Sequence, residues 1–220
     1  MKSKMIKIND KLVEIDDTTP TGAQILLASG VRDIVEYVLF QKLKNGLLEE
    51  IRPEESTQLD KDSIETFLLF KSDRTYRFTL DGKTFDWGAP NITGATIKSL
   101  ANIELSSNDV WLELQNEKDR LISDHEYVDL TSQGVERLYT QETCIEIIVN
   151  ARAKNVNHRI LSYWQVVKLA FEHAENTESS IYSIDYANGP IVNPEGAMVD
   201  GQHVQLTNGM VFYVTQTDKS

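Results

Sequence analysis

The stretch TGATIKSLAN, from Thr93 to Asn102, decides how this chain folds, because nearly the same phrase, TGAQILLASG, runs from Thr21 to Gly30. The two phrases begin 72 residues apart (93 − 21). Similarity at a fixed spacing is typical of chains that are built from copies of one unit. The spacing therefore predicts a repeat of about 70 residues.

The first phrase lies within a simple order of predicted elements. Residues 5–8 and 12–15 alternate apolar and polar side chains around a polar turn, which predicts a β-hairpin. Thr21 and Gln24 then fit the S/T-x-x-E/Q capping box, and the apolar stripe after them predicts a short helix. A second hairpin and a final strand complete the unit.

The second and third units repeat this order. The Asp81-Gly82 pair is a strong hairpin signal ahead of the helix that starts at Thr93. In the more divergent third unit, Ser162 and Gln165 form another capping box at the expected place. There, the segment 188–192, NGPIV, predicts a turn followed by a strand at Ile191-Val192.

Three such units predict an α+β chain of tandem domains, because one helix packed on a mixed sheet buries the apolar faces of both elements. The predicted domains are residues 1–72, 73–142 and 143–220. The short joints between them lack Gly/Ser and Pro richness, so we expect limited domain motion. The alternative is one α/β domain of 220 residues whose phrases are similar by chance.

Charge and composition narrow the classes of function. The formal net charge of −12 disfavours nucleic acid as a partner, while it suits either basic partner proteins or simple solubility. No apolar stretch is long enough to cross a bilayer, and the N-terminus does not resemble a signal peptide. The lone Cys144 fits a reducing compartment and is predicted to be a buried structural thiol. We expect a cytoplasmic protein with no membrane partner.

Few residues indicate catalytic or cofactor chemistry. The four histidines have no metal-ligand spacing, and the paired acidic residues are typical of solvated turns. Phosphate-binding, GxSxG and dinucleotide motifs are absent, so we expect no enzyme activity, no cofactor and no metal. Trp87, which precedes Gly88, is a candidate partner-binding anchor if its ring is exposed, and a core residue is the alternative.

The strand order of each unit is that of ubiquitin-like β-grasp domains, and three segments extend the resemblance. The segments are FTLDGKTFDWGAPNITGATIKSLA (78–101), EYVDLTSQGVERLYT (126–140) and EGAMVDGQHVQLTNGMVFYVTQTDKS (195–220). Together they resemble the bacterial multiubiquitin family, whose members carry several β-grasp modules in one polypeptide. The resemblance implies three tandem ubiquitin-like domains along nearly the whole chain.

The resemblance also implies a role as a protein modifier. Such a modifier is activated at its C-terminus by an E1-like adenylating enzyme, passed to an E2-like carrier and attached to target proteins, and a deubiquitinase-like peptidase is a further expected partner. The expected conjugation or processing tail is Thr217, Asp218, Lys219 and Ser220.

This tail departs from ubiquitin because it lacks the terminal Gly-Gly pair. The cognate enzymes then accept bulkier residues, or a peptidase trims the tail first, or the protein is not conjugated. The alternative function is a non-covalent scaffold, in which partners bind the helix-free faces or edge strands of the modules. An enzyme of unknown class and a sulfur carrier are weaker alternatives.

Overall fold

A computed structural model describes residues 3–132, 134–176 and 180–218. In this part of the chain, three mixed sheets of five strands each carry one α-helix apiece, which confirms the α+β class with three tandem ubiquitin-like modules. The contacts divide the chain into two compact units, residues 1–103 with 110–140 and residues 104–109 with 141–220. The domain boundaries at 72/73 and 142/143 stay predictions.

The three modules share one order of elements. The first module contains β1 (Lys4–Ile8), β2 (Lys11–Ile15), α1 (Gly22–Ala28), a 3-10 turn (Ile34–Glu36), β3 (Tyr37–Lys42), β4 (Leu48–Glu50) and β5 (Thr66–Lys71). The second contains β6 (Tyr76–Leu80), β7 (Lys83–Trp87), β8 (Asn91–Thr93), α2 (Gly94–Ala101), β9 (Asn108–Leu112), β10 (Arg120–Ile122), β11 (Tyr127–Asp129) and β12 (Glu136–Glu142). The third contains β13 (Ile145–Val149), β14 (Arg152–Val156), β15 (Ile160–Ser162), α3 (Tyr163–Ala170), β16 (Ser180–Ala187), β17 (Gly196–Met198), β18 (His203–Gln205) and β19 (Met210–Asp218).

The first and last strands of each module lie side by side at the centre of its sheet. The strand orders are β2-β1-β5-β3-β4, β7-β6-β12-β9-β10 and β14-β13-β19-β16-β17. The central pairs are parallel, and they place Ile8 beside Phe67 and Val149 beside Phe212. Each helix covers one face of its sheet, and each module has its own cluster of buried apolar side chains.

The TG phrase of the first two modules has two separate roles. Thr21 caps α1 in a capping box with Gln24, as predicted. The glycine that follows lets a crossing loop approach, because a Cβ at Gly22 would lie 2.3 Å from the carbonyl oxygen of Arg52. That loop accepts hydrogen bonds from the free amides of the first helical turn.

The other two helices begin in related ways. A Cβ at Gly94 would lie 2.3 Å from the carbonyl oxygen of Ser123, so the second module needs its glycine for the same reason. The third module has Tyr163 at this position instead, and its capping box of Ser162 and Gln165 is also confirmed. The Tyr163 amide nevertheless donates to the crossing loop, at the Gln202 carbonyl oxygen 2.9 Å away, as the glycine amides do in the other modules.

A turn residue ties the last strand to the first hairpin in every module. The Asn9 side chain accepts from the Leu69 amide at 2.9 Å and donates to the Leu69 carbonyl at 2.7 Å. Asn150 makes the same two bonds to Val214, at 2.8 and 2.9 Å. In the second module, Asp81 accepts from the amide and hydroxyl of its counterpart in β12. We call these contacts the turn clasps.

One predicted strand is wrong. Ile191 and Val192 lie in a turn and are 99% and 91% exposed, and the strand that pairs with β16 is β17, further along the chain. The loop before β17 is longer than its counterpart in the first module. Apolar residue type alone therefore misplaced the strand.

Candidate functional site

The predicted tail begins inside a strand. Thr217 and Asp218 are the last two residues of β19, and they pair with the start of β16. Lys219 and Ser220 lie outside the described residues. The structure thus shows the first half of the tail as ordered, extended backbone.

The end of β19 has one open edge. Its ladder with β13 extends only from Met210 to Phe212, and the Asn150 clasp then satisfies Val214. Beyond that point, no other strand in the described part of the chain pairs with this side of Thr215–Asp218. Because an open edge presents unpaired backbone donors and acceptors, a partner can add a strand here.

The helix-free faces of the sheets are the second candidate surface, and the one in the first module is apolar. Phe70 pairs with Val38 across the β3–β5 ladder, and Leu68 pairs with Phe40. The side chain of Phe40 is only 1% exposed, although it points away from the core covered by α1.

The second module covers this apolar face. Phe70 meets Trp87 edge to face at 4.6 Å between ring centroids, and both Leu68 and Phe70 pack against the core cluster of the second module. A Cβ at Gly88 would lie 2.5 Å from the Phe70 ring, so the glycine after Trp87 permits the close approach. The contact is a packed interface within one compact unit.

This burial corrects the prediction for Trp87 as an exposed anchor. The Trp87 side chain is 6% exposed, and its indole nitrogen donates to the Asn91 carbonyl at 3.0 Å. The alternative, a core residue, describes it better, except that part of its covering comes from Phe70 of the neighbouring module. The apolar run TFLLFK in β5 was a sequence signal for this interface, because a strand buried on both faces has no polar alternation.

The loop between β3 and β4 adds polar contacts to the interface. Lys42 donates to the carbonyl oxygen of Ser99 at the end of α2, and Asn102 donates to the Lys44 carbonyl at 3.1 Å. Burial lowers the pKa of the Lys42 ammonium, and the charge of Lys7 adds to this effect. A Cβ at Gly46 would lie 2.0 Å from the Leu100 carbonyl oxygen, so the loop backbone rests directly on α2.

The helix-free face of the third module is more polar than that of the first. Thr215 pairs with Ser183 and Tyr213 pairs with Asp185, at the positions where the first module has Phe70 with Val38 and Leu68 with Phe40. Ser183, Asp185 and Thr215 are exposed, and Tyr213 is 56% exposed. This face is the one in which a partner would find an accessible aromatic ring.

Cys144 departs from its prediction. It precedes β13 and is exposed, so it is not a buried structural thiol. Among the described residues, no group of three or more His, Cys, Asp or Glu side chains is placed to hold a metal ion. None of the helices in the described ranges combines the length and the apolar character that a membrane crossing requires.

The repeated fold and its two kinds of helix-free face define a tandem ubiquitin-like protein. The family model described as multiubiquitin matches the chain three times, at residues 5–72, 76–143 and 145–218. The chain therefore belongs to the multiubiquitin family, as its sequence resemblance predicted. No curated protein matches it.

Proposed function

We propose that this chain is a bacterial ubiquitin-like protein modifier whose third module carries the donor end. In this proposal an E1-like enzyme adenylates the terminal carboxylate, an E2-like carrier receives it, and a target protein is modified. In this proposal the E1-like and E2-like enzymes supply the catalytic groups. Adenylation is needed because a carboxylate is a poor electrophile until its oxygen becomes part of a leaving group.

The open edge of Thr215–Asp218 is the observation that carries the proposal. An enzyme that acts on a chain end must hold the preceding residues in an extended form. Here the backbone from Thr215 to Asp218 is already extended, and its unpaired edge and the exposed side chains of residues 215–217 are accessible to a binding groove. Family membership supports the same function, because ubiquitin-like modules are the known building block of modifiers.

The missing Gly-Gly pair restricts how the tail is handled. Glycine lets a narrow tail thread a channel without steric restriction on φ and ψ. A tail with Thr217 and Asp218 needs a wider channel, or a peptidase that trims it to a shorter end. Intact mass of the protein recovered from its own host identifies the final residue and separates these two routes.

Reconstitution tests the proposal. The full chain is incubated with the E1-like protein of its own gene neighbourhood and ATP, and adenylate and conjugates are measured by mass spectrometry. We expect an adduct with the full chain and none after deletion of residues 218–220. The Tyr213→Ala chain is the matched control, because it alters the same strand upstream of the tail. An adduct that survives the deletion assigns the donor carboxylate to a trimmed end at Thr217, whereas no adduct from either the full or the shortened chain contradicts conjugation.

The second candidate function is a non-covalent scaffold, and the accessible face of the third module favours it. Tyr213 is 56% exposed at the centre of a face that also presents Ile181, which is 44% exposed, among polar side chains. Stable co-purification of a partner, with no change in the mass of the chain and with loss after Tyr213→Glu, supports this function over conjugation. Unchanged co-purification by the Tyr213→Glu chain places the scaffold surface elsewhere.

A further inference from the structure

A groove in the third module lies between the edge strand β14 and α3. Arg152 and Lys154 are two residues apart on β14 and therefore project from the same face. Lys168 on α3 lines the same groove, together with Phe171 and Glu172 just beyond the helix. Three cations and one carboxylate thus surround a space that also has an apolar wall.

The corresponding positions of the other modules show why the groove exists. Lys154 pairs with Ile147, and its counterparts across the first hairpins of the other modules are Val13 and Phe85. Phe85 is 4% exposed and stacks on Phe78 at 5.2 Å, so the second module fills this space with its core. A lysine in place of a core residue leaves the space open in the third module.

The charge of the groove is also particular to the third module. Six residues after the helix cap, the three modules have Leu27, Ser99 and Lys168. The counterparts of Arg152 are Lys11 and Lys83, so the other two modules each have one cation where the third has three. Such a cluster is unexpected on a chain with a net charge of −12.

None of the ion pairs among the described residues involves Arg152, Lys154 or Lys168. Lys154 is half-buried, and Arg152 and Lys168 are exposed, so all three charges are accessible to an anionic ligand in the groove.

We propose that this groove binds an acidic peptide segment of a partner protein. A few carboxylates placed among the three cations gain charge-assisted hydrogen bonds, and the Phe171 wall receives an apolar side chain of the same segment. A nucleic acid is a poorer occupant, because its long phosphate backbone would extend over the acidic remainder of the chain. This binding goes beyond the proposed conjugation and does not require it.

The test uses the full chain and a short fluorescein-labelled peptide of glutamate and leucine, with fluorescence anisotropy as the readout. The triple variant Arg152→Gln, Lys154→Val and Lys168→Ser replaces the charges, and two of its residues are those that the other modules have. We expect its Kd to rise by about tenfold or more, since three exposed charge contacts are removed. Binding by the unchanged protein should also weaken as salt is added.

Two controls keep the result specific. The Lys11→Gln, Lys83→Gln chain removes two positive charges, against three in the triple variant, from the positions that correspond to Arg152, and it should bind as the unchanged protein does. Deletion of residues 218–220 should leave binding intact, so a failure of conjugation does not affect this test. Unfolding midpoints show that each variant folds.

The outcomes that overturn the proposal are equally defined. They are an anisotropy that stays flat at millimolar peptide, a triple variant that binds as tightly as the unchanged protein, or a thymidine oligonucleotide of the same length that binds as tightly as the peptide. The last result would make the groove a general anion site.

Discussion

The last strands of the first and third modules occupy the same place in their sheets but differ in how many faces they bury. In β5, Phe67 faces the core while Leu68 and Phe70 pack against the second module. In β19, Phe212 faces the core while Tyr213 and its neighbours on the other face are exposed. One fold thus provides a covered sheet and an accessible one.

The order of apolar and polar residues in each strand accounts for the difference. TFLLFK has apolar residues at successive positions, which is typical of a strand that is buried on both faces. MVFYVTQTD alternates apolar and less apolar residues, which is typical of burial on one face. The sheet of the first module thus packs against the second module, while the helix-free face of the third module stays exposed at Tyr213.

The largest loss of stability is expected when the contact between Phe70 and Trp87 on the covered sheet is removed. Phe70→Ala should lower the free energy of unfolding by about 3 kcal/mol, the low end of the range for phenylalanine truncation because Phe70 is only half-buried. Urea unfolding followed by tryptophan fluorescence measures the change. Thr215→Ala, at the corresponding position of β19, should change the free energy of unfolding by less than about 0.5 kcal/mol. Equal losses at both positions would contradict the comparison.

A methyl group at Gly46 tests the contact between the β3–β4 loop and α2. Gly46 and Gly209 have φ values of +85° and +79°, so alanine at either costs about 1 kcal/mol in backbone strain. Only at Gly46 does the Cβ also meet a backbone oxygen, that of Leu100, whereas Gly209 has no neighbour within 4 Å. The free energy of unfolding should therefore fall further for Gly46→Ala. A loss that matches that of Gly209→Ala would show that the loop does not rest on the helix.

The contribution of a helix cap to the free energy of unfolding should not depend on whether the sheet of its module is covered. Thr21 and Ser162 form the same capping box in the first and third modules. Replacement of either by alanine should lower the free energy of unfolding by about 1 kcal/mol, because one amide of the first turn loses its acceptor. Thermal unfolding of the two single variants measures this. If only one of the two variants loses free energy of unfolding, packing between modules rather than the helix cap determines the stability of the other module.

The smallest effect is expected at the exposed ion pair between Lys44, in the β3–β4 loop, and Asp60. The hydrogen bond from Lys44 lowers the pKa of Asp60 to about 2, with further bonds from the amide of Asp62. Because the folded pKa lies below the ordinary value, the stabilisation is present above that value and is lost as the pH falls toward 2. Lys44→Met should raise the Asp60 pKa in an NMR titration. An unchanged titration would assign the shift to the amide bonds.

The order of elements and the helix caps could be predicted from the sequence, because both depend on local spacing. Thr21 with Gln24 specifies a cap within one turn, and alternation around a short turn specifies a hairpin. The position of Trp87 could not be predicted in this way. Its burial depends on Phe70, which is near in sequence but belongs to another sheet, and only the unbroken apolar run of β5 hinted at such a neighbour.

The candidate sites were less predictable than the fold. The tail residues Thr217 and Asp218 were identified by resemblance, but their place in a ladder with an open edge required the register of β19. The basic groove was missed because Lys154 looks like an ordinary surface residue until its pairing with Ile147 places it over the core. Cys144 was misjudged because it was placed at the start of a strand beside Ile145, whereas it lies just before that strand and is exposed.

The turn clasps have a mechanical consequence. Each module begins and ends in parallel central strands, so a force that pulls the chain from its two ends shears one strand along the other. Bonds loaded in shear must break together, and the two clasp bonds of Asn150 to Val214 add to that set. A force on the carboxyl end of β19 therefore loads the ladder with β16, the parallel ladder with β13 and the Asn150 clasp together, and the rate of forced unfolding of this module depends on these bonds rather than on its equilibrium stability.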